Sequence, residues 1–230
     1  VAYIAEGIRE ALRLLISGDG GVYGIVGVSL FVASVATGMA ALIGLPIGYA
    51  VAVGRFRGRR AIVTLINTLL ALPTVVVGLF VYALLSRRGP AGFLDLLYTP
   101  GAMIIGETVL AVPIVAAFTL SAFRSVDPRV ADTALTLGAT RGQMARILLL
   151  EARFGILAAI VASFGRVIAE VGIAMMLGGN IKGSTRTMTT AIALETNKGE
   201  FGLAIALGMI LLATAFVANI LFQWLQGFSE

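Results

Sequence analysis

Apolar and polar positions fall along this chain in long blocks. Uncharged runs cover 20–54, 61–86 and 201–229, and each exceeds the ~20 residues that carry a helix across ~30 Å of hydrocarbon. Two more apolar stretches, near 102–123 and 154–177, are interrupted by Glu107 in the first and by Arg166 and Glu170 in the second. The pattern predicts five transmembrane helices, at about 22–53, 62–85, 102–123, 154–177 and 201–225. Pro73 inside the second predicts a bend. Gly38, Gly44, Pro46 and Gly48 in the first predict a kink or a closely approached neighbour. Before the spans, Ile4, Ile8, Ala11, Leu12 and Leu15 repeat at helical spacing against Glu6, Arg9, Glu10 and Arg13. The segment 1–16 therefore reads as an amphipathic helix, lying on the membrane surface or leading into the first span from the aqueous side.

Two polar inserts break the apolar pattern. The first, 127–153, sets Arg129, Arg141, Arg146 and Arg153 against Asp127, Asp132 and Glu151, and Leu137-Gly138-Ala139 divides it into two short helical patterns. It is either a solvated connection or a helix-turn-helix through which a soluble partner grips the membrane protein. The second, 178–200, reads as a polar loop between the fourth and fifth spans. Asn180, Lys182, Ser184, Thr185, Arg186, Thr187, Thr189 and Thr190 give it cations and hydroxyl donors suited to an oxyanion, or simply make it a hydrophilic external loop. Its glycines do not make a nucleotide loop, because Lys182 follows Ile181 and precedes Gly183 where the phosphate-binding pattern needs Gly-Lys-Ser/Thr. ATP-driven work would need a separate subunit.

Composition strengthens the membrane assignment: 59% of the 230 residues are hydrophobic and 13% charged, about half the charged fraction usual for soluble domains. The loops expected after the first and third spans hold nine arginines and three acids, and the other polar segments seven bases and six acids. The positive-inside rule then puts the N-terminus outside and the C-terminus in the cytoplasm. The net charge of +5 is spread over span ends and calls for no nucleic acid. The chain has no Cys and no His, so thiolate nucleophiles, disulfides and Cys/His metal sites are excluded. No catalytic residues and no metal ligands are expected.

Ionised groups inside a span call for explanation. Arg166 and Glu170, four apart, are expected to pair on one helix face, so that exchanging the two charges would restore what either single change removes. A pathway or gate role stays open for both, and for Glu107 pathway, headgroup and proton-relay placements stay open. A secondary transporter or channel using Glu107 or Glu170 is the competing class.

The central insert resembles the cytoplasmic coupling loop of bacterial and archaeal ABC importer permeases. That loop reads Glu-Ala-Ala, three residues, Gly, nine residues, Ile, one residue, Leu-Pro. Asp132 stands at the Glu position, Thr133 and Ala134 at the two Ala positions, Gly138 at the Gly, and Leu148 and Leu150 at the aliphatic positions, while Glu151 replaces the Pro. The stretches 164–172 and 175–183, with the Thr-rich run that follows, resemble the molybdate/tungstate permeases, most of all the tungstate type. The resemblance implies an all-α permease subunit of the cell membrane, non-catalytic itself, that imports a tetrahedral oxyanion. Its implied partners are a second copy, two cytoplasmic ATP-binding subunits that carry ATP and Mg, an extracytoplasmic oxyanion-binding protein and membrane lipid. By position, coupling to the ATPase falls to Asp132, Thr133, Ala134, Gly138, Ala139, Thr140, Arg141, Gln143, Met144 and Arg146. The pathway or gate falls to the third to fifth spans, with Glu107, Arg166, Glu170, Asn180, Lys182, Ser184, Thr185, Arg186, Thr187 and Thr189 as candidates. The whole of 1–230 is expected to form one permease domain, with 127–151 as its coupling loop.

Overall fold

A computed structural model describes residues 8, 9, 13 and 20–227, with side chains as far as 220. The amphipathic segment expected over 1–16 lies almost wholly outside the described residues. Within them the chain is helical and has no strand: α1 (Gly20–Val53), α2 (Arg59–Leu69), α3 (Thr74–Leu85), α4 (Pro100–Ser125), α5 (Pro128–Thr136), α6 (Arg141–Glu151), α7 (Arg153–Ile168), α8 (Met188–Lys198) and α9 (Phe201–Gly227). A single 3₁₀ turn, Gly92–Leu94, precedes α4, and a π-helical turn, Ala174–Gly178, lies between α7 and α8.

Three helices, α1, α4 and α9, are long and apolar enough to cross a membrane, and two bent pairs bring the total to five if each pair counts as one span. Among the three, α4 is the central element, with 61% of its apolar window buried against 33% for α1 and 22% for α9. Both Pro46 and Pro113 sit inside continuous helices. Small residues set the distance between α1 and α4. A Cβ on Gly44 would stand 2.8 Å from Val115 Cβ, and one on Gly48 would stand 2.7 Å from the Ala116 carbonyl oxygen. Such close approach is how helices gain packing in lipid, where exclusion of water supplies no drive. Around this contact Ala33, Ala36, Ala40, Ala111, Val115, Met188 and Leu207 form one core, and Val32, Val77, Val81, Met103, Ile173 and Leu177 a second.

The second and fourth spans are not the single helices that hydropathy suggests. The apolar run 61–86 breaks between Leu69 and Thr74, and α2 meets α3 at 99°. Pro73 stands at the N-cap of α3 in extended conformation (ψ 126°), where its missing N–H costs nothing. In the fourth, α7 ends at Ile168 and Glu170 lies in a non-helical break ahead of the π turn. Much of the polar stretch 178–200 is also helical, since α8 buries Met188, Thr189, Thr190, Ala191 and Glu195. Its low hydropathy predicts a loop, but the hydroxyls satisfy one another inside the fold.

Between α4 and α7 the insert forms the expected helix-turn-helix. Asp127 caps α5 by accepting from the Arg129 N–H at 2.9 Å. Gly138, at φ 82°, makes the turn, a conformation a side chain would strain. Thr140 and Gln143 cap α6 reciprocally, at 2.8 and 3.3 Å, as the capping-box arrangement requires. The pair is seated on the end of α4 through Phe123, Leu148 and Ala152.

Candidate functional sites: the exposed insert and the buried acidic break

At the insert, Asp132, Thr133, Gly138, Thr140, Arg141, Gln143 and Arg146 are exposed, Ala139 and Met144 are half-buried, and Ala134 is turned into the fold. Apolar side chains stand out beside these polar ones: Leu137 is 82% exposed and Leu150 54%. A groove of about 400 Å³ runs between the two helices, lined by Asp127, Arg129, Val130, Thr133, Ala134, Leu137 and Ile147. The Arg129 guanidinium, at 2.6 Å from Asp127, and its backbone N–H hold the Asp127 carboxyl below the usual carboxylate range. Capped helix ends and bare apolar side chains therefore share one surface, and an apolar patch rimmed by polar residues is what marks interaction sites in general.

The second constellation is built on the break after α7. Arg166 Nη1 donates to Glu170 Oε2 at 2.7 Å, with the Glu170 side chain 3% exposed and that of Arg166 42%. The pair forms as its spacing predicts, but its geometry differs from a helix-surface pair. The other oxygen, Oε1, accepts from the backbone N–H of Gly172 at 2.9 Å and of Ile173 at 3.3 Å. Glu170 therefore caps the restarted helix as well as pairing. Thr189 Oγ1 donates to the Glu170 carbonyl at 2.7 Å, tying α8 to the same point. A Cβ on Gly172 would lie 3.3 Å from both Glu170 Oε1 and Thr74 Oγ1. The breaks in the second and fourth spans thus lie side by side. Glu107, on α4 and 3% exposed, has no hydrogen-bond partner among the described residues and is near enough for its charge and that of Glu170 to interact.

The Asn180–Thr190 residues divide differently from the sequence expectation. Lys182 and Ser184 are exposed. The Arg186 head is turned inward, donating to Asn180 Oδ1 at 3.1 Å and to the Asn180 carbonyl at 3.3 Å. The Thr185 hydroxyl donates to the Gly178 carbonyl and accepts from the Ile181 N–H at 3.0 Å. Those of Thr187, Thr189 and Thr190 bond among themselves within 3.1 Å. These hydroxyls are structural ties, so the donor-rich surface reduces to two side chains. A residue missed from sequence is Ser29 on α1, whose Oγ accepts from the Met188 N–H at 2.8 Å. Its signal was slight, a lone hydroxyl in an uncharged run. Among the described residues no group of three His, Cys, Asp or Glu could hold a metal.

The profile of the family described as "Binding-protein-dependent transport system inner membrane component" matches residues 44–227. The chain belongs to this family. As a member of this permease family it is a multi-pass inner-membrane protein. It is 42% identical over 224 residues to the tungstate uptake system permease protein TupB of Peptoclostridium acidaminophilum, covering 97% of this chain and 98% of that one. It is 44% identical over 202 residues to a probable anion ABC transporter permease protein of Haloferax volcanii, covering 86% and 87%. In structure it is similar to a chain of the MetNI methionine ABC transporter in an inward-facing conformation, with TM-score 0.72 at 19% identity over 93% of this chain and 95% of that one. The permease fold that the resemblance implied is therefore the fold observed.

Proposed function

We propose that this permease is the membrane subunit of an ATP-driven importer for a tetrahedral oxyanion, tungstate ahead of molybdate. Two copies enclose the pathway, an external binding protein delivers the anion, and two cytoplasmic ATP-binding subunits, which hold ATP and Mg, each take one α5–α6 insert. The chain itself is non-catalytic. Its N-terminus lies outside and its C-terminus in the cytoplasm.

The observation that carries this reading is the apolar tip of a capped, polar helix-turn-helix. Leu137, 82% exposed beside Gly138, costs hydrophobic free energy unless a partner covers it. In the coupling role Asp132, Thr133, Thr140, Arg141, Gln143 and Arg146 ring that tip as polar contacts, with Ala134, Ala139 and Met144 backing it. Closure of the ATPases would move both inserts and rock the bundles between inward and outward openings. The joined breaks around Glu170, Arg166 and Glu107 are the natural hinge, with Asn180, Lys182, Ser184 and Arg186 at its edge and Thr185, Thr187 and Thr189 holding it together. Tungstate comes from the relative that shares 42% identity over nearly the whole chain.

The test is uptake of tungstate into vesicles carrying the permease, its ATPase and its binding protein. Uptake is expected only with all three and with ATP. Uptake by the permease alone, driven by an ion gradient, would replace this reading with a secondary transporter.

A further inference from the structure

At the end of α1 the chain turns through four arginines in six residues, Arg55, Arg57, Arg59 and Arg60. Arg59 is committed to the fold: its Nε donates to the Val51 carbonyl at 2.7 Å and its Nη2 to the Ala52 carbonyl at 2.8 Å. It thereby closes the C-terminal end of α1, where a cation is favoured. Across from it stands Arg124, in the last turn of α4. Between them lies a pocket of about 280 Å³, lined by Arg59, Arg60, Val63, Thr64 and Arg124.

The charge in this pocket is unbalanced. No acidic residue occurs between positions 54 and 94 or between 108 and 126. The nearest acid along the chain, Asp127, is already paired with Arg129. Arg60 and Arg124 are exposed and have no hydrogen-bond or ion-pair partner among the described residues. Three guanidinium groups around one cavity repel unless an anion sits among them, and guanidinium matches phosphate oxygens in fork geometry.

The surroundings say which anion. Phe56 is 42% exposed, Ile62 38% and Leu65 56%, so bare apolar side chains flank the basic pocket on the same segment. The pocket also lies where the uncharged run of α1 ends, at Gly54, and the arginines begin, which is where an apolar span gives way to the headgroup region. A basic pocket beside apolar side chains at that depth suits a ligand with a charged head and an acyl tail. We infer that the Arg59–Arg60–Arg124 pocket binds the phosphate headgroup of an anionic phospholipid. The site lies apart from the insert and from the acidic break. It requires only that the chain spans a membrane, so a failed tungstate assay leaves it standing.

The test uses the full chain purified into phosphatidylcholine nanodiscs doped with phosphatidylglycerol, with retained lipid counted by native mass spectrometry after extraction. The double variant R60Q/R124Q is compared with wild type and with R87Q/R88Q, which removes two arginines from another loop. Arg59 is left alone because it holds α1. Phosphatidylglycerol binding is expected to weaken roughly 30-fold in R60Q/R124Q, about fivefold for each arginine facing an anionic leaflet. It should stay unchanged in R87Q/R88Q and when millimolar inorganic phosphate or tungstate is added. Equal retention in all three proteins would overturn the site. Displacement of the lipid by phosphate or tungstate would overturn the lipid assignment and make the pocket one for free oxyanions. Loss of the folded peak in R60Q/R124Q would overturn the premise that these two arginines bear no structural load.

Discussion

Replacing Glu170 should be far more damaging than replacing Arg166, although the two form one ion pair. Glu170→Ala strips the acceptor from two backbone N–H groups, those of Gly172 and Ile173. A buried donor left unmatched costs ~1–3 kcal/mol, and the Ile173 bond, at 3.3 Å, belongs at the low end of that range. The ion pair adds less, ~0.5–1 kcal/mol, because Arg166 is 42% exposed and screened. The sum is about 3 kcal/mol for Glu170→Ala and about 1 kcal/mol for Arg166→Ala. At ~2–4 °C per kcal/mol for a chain of this size, the midpoints should fall by roughly 6–12 °C and 2–4 °C. The exchange Arg166→Glu with Glu170→Arg should not rescue, since an arginine at 170 can only donate and would face two donors. This reverses what the i,i+4 spacing alone suggests. The assay is loss of the monodisperse peak of detergent-purified protein after heating, read as a ranking because unfolding of this kind is not reversible. Equal losses in the two single variants, or recovery in the exchange, would refute the capping role.

Three other outcomes follow from the geometry. Gly48→Ala should cost ~1–3 kcal/mol by overpacking α1 against a backbone carbonyl that cannot move aside. Gly38→Ala, with nothing within 4 Å, should gain up to ~1 kcal/mol of helix propensity; equal shifts in the same melt would contradict the close contact. Leu137→Asp should reduce recovery of the ATP-binding subunit roughly 30-fold, the ordinary worth of a buried anchor, with no change in melting; undiminished recovery would remove the docking role. For Asp127 the sign follows from its lowered folded-state value, caused first by the Arg129 side chain and then by its backbone N–H. Its contribution is complete above the unfolded value of 3.8 and is lost as pH falls through the depressed folded value. Hydrogen-exchange protection of α5 should therefore drop below about pH 4 in wild type and stay level there in Asp127→Asn, which keeps the cap without titrating.

Hydropathy found all the apolar segments because burial in lipid leaves a compositional mark tens of residues long. The bend that Pro73 predicts in the second segment is found, at 99°, but hydropathy alone misses it and the break in the fourth, because each depends on a few atoms. The run 61–86 carries no charge to announce a 99° bend, and only Pro73 hints at it. The fourth segment reads through to 177 because Ile173, Ala174 and Leu177 are as apolar as a span requires, yet they belong to a turn packed under α3. The insert was legible as two short helices turning at Leu137-Gly138-Ala139, because its turn and its caps at Asp127, Thr140 and Gln143 are local devices whose partners lie within three residues. The threonines at 185–190 read as surface donors because their burial depends on a contact outside the stretch. Thr187 and Thr190 do bond locally, but what buries the group is Thr189 reaching the Glu170 carbonyl 19 residues back, and no window of local sequence shows that contact.

The breaks and the intramembrane charges are one feature. Backbone that leaves a helix at membrane depth must find new partners, because lipid offers none. After α7 stops at Ile168, the N–H groups of Gly172 and Ile173 are taken by the Glu170 carboxylate and the Glu170 carbonyl by Thr189. The Gly178 carbonyl is taken by Thr185, and Arg166 neutralises the carboxylate that the arrangement requires. An apolar residue at 170 would be cheaper to insert but would leave two donors bare, so the charge follows from the break. The break also brings α3, α7 and α8 together at Thr74, Gly172 and Thr189. At the centre of the fold, a junction of three chain segments held by hydrogen bonds thus stands where hydropathy alone would draw continuous helices.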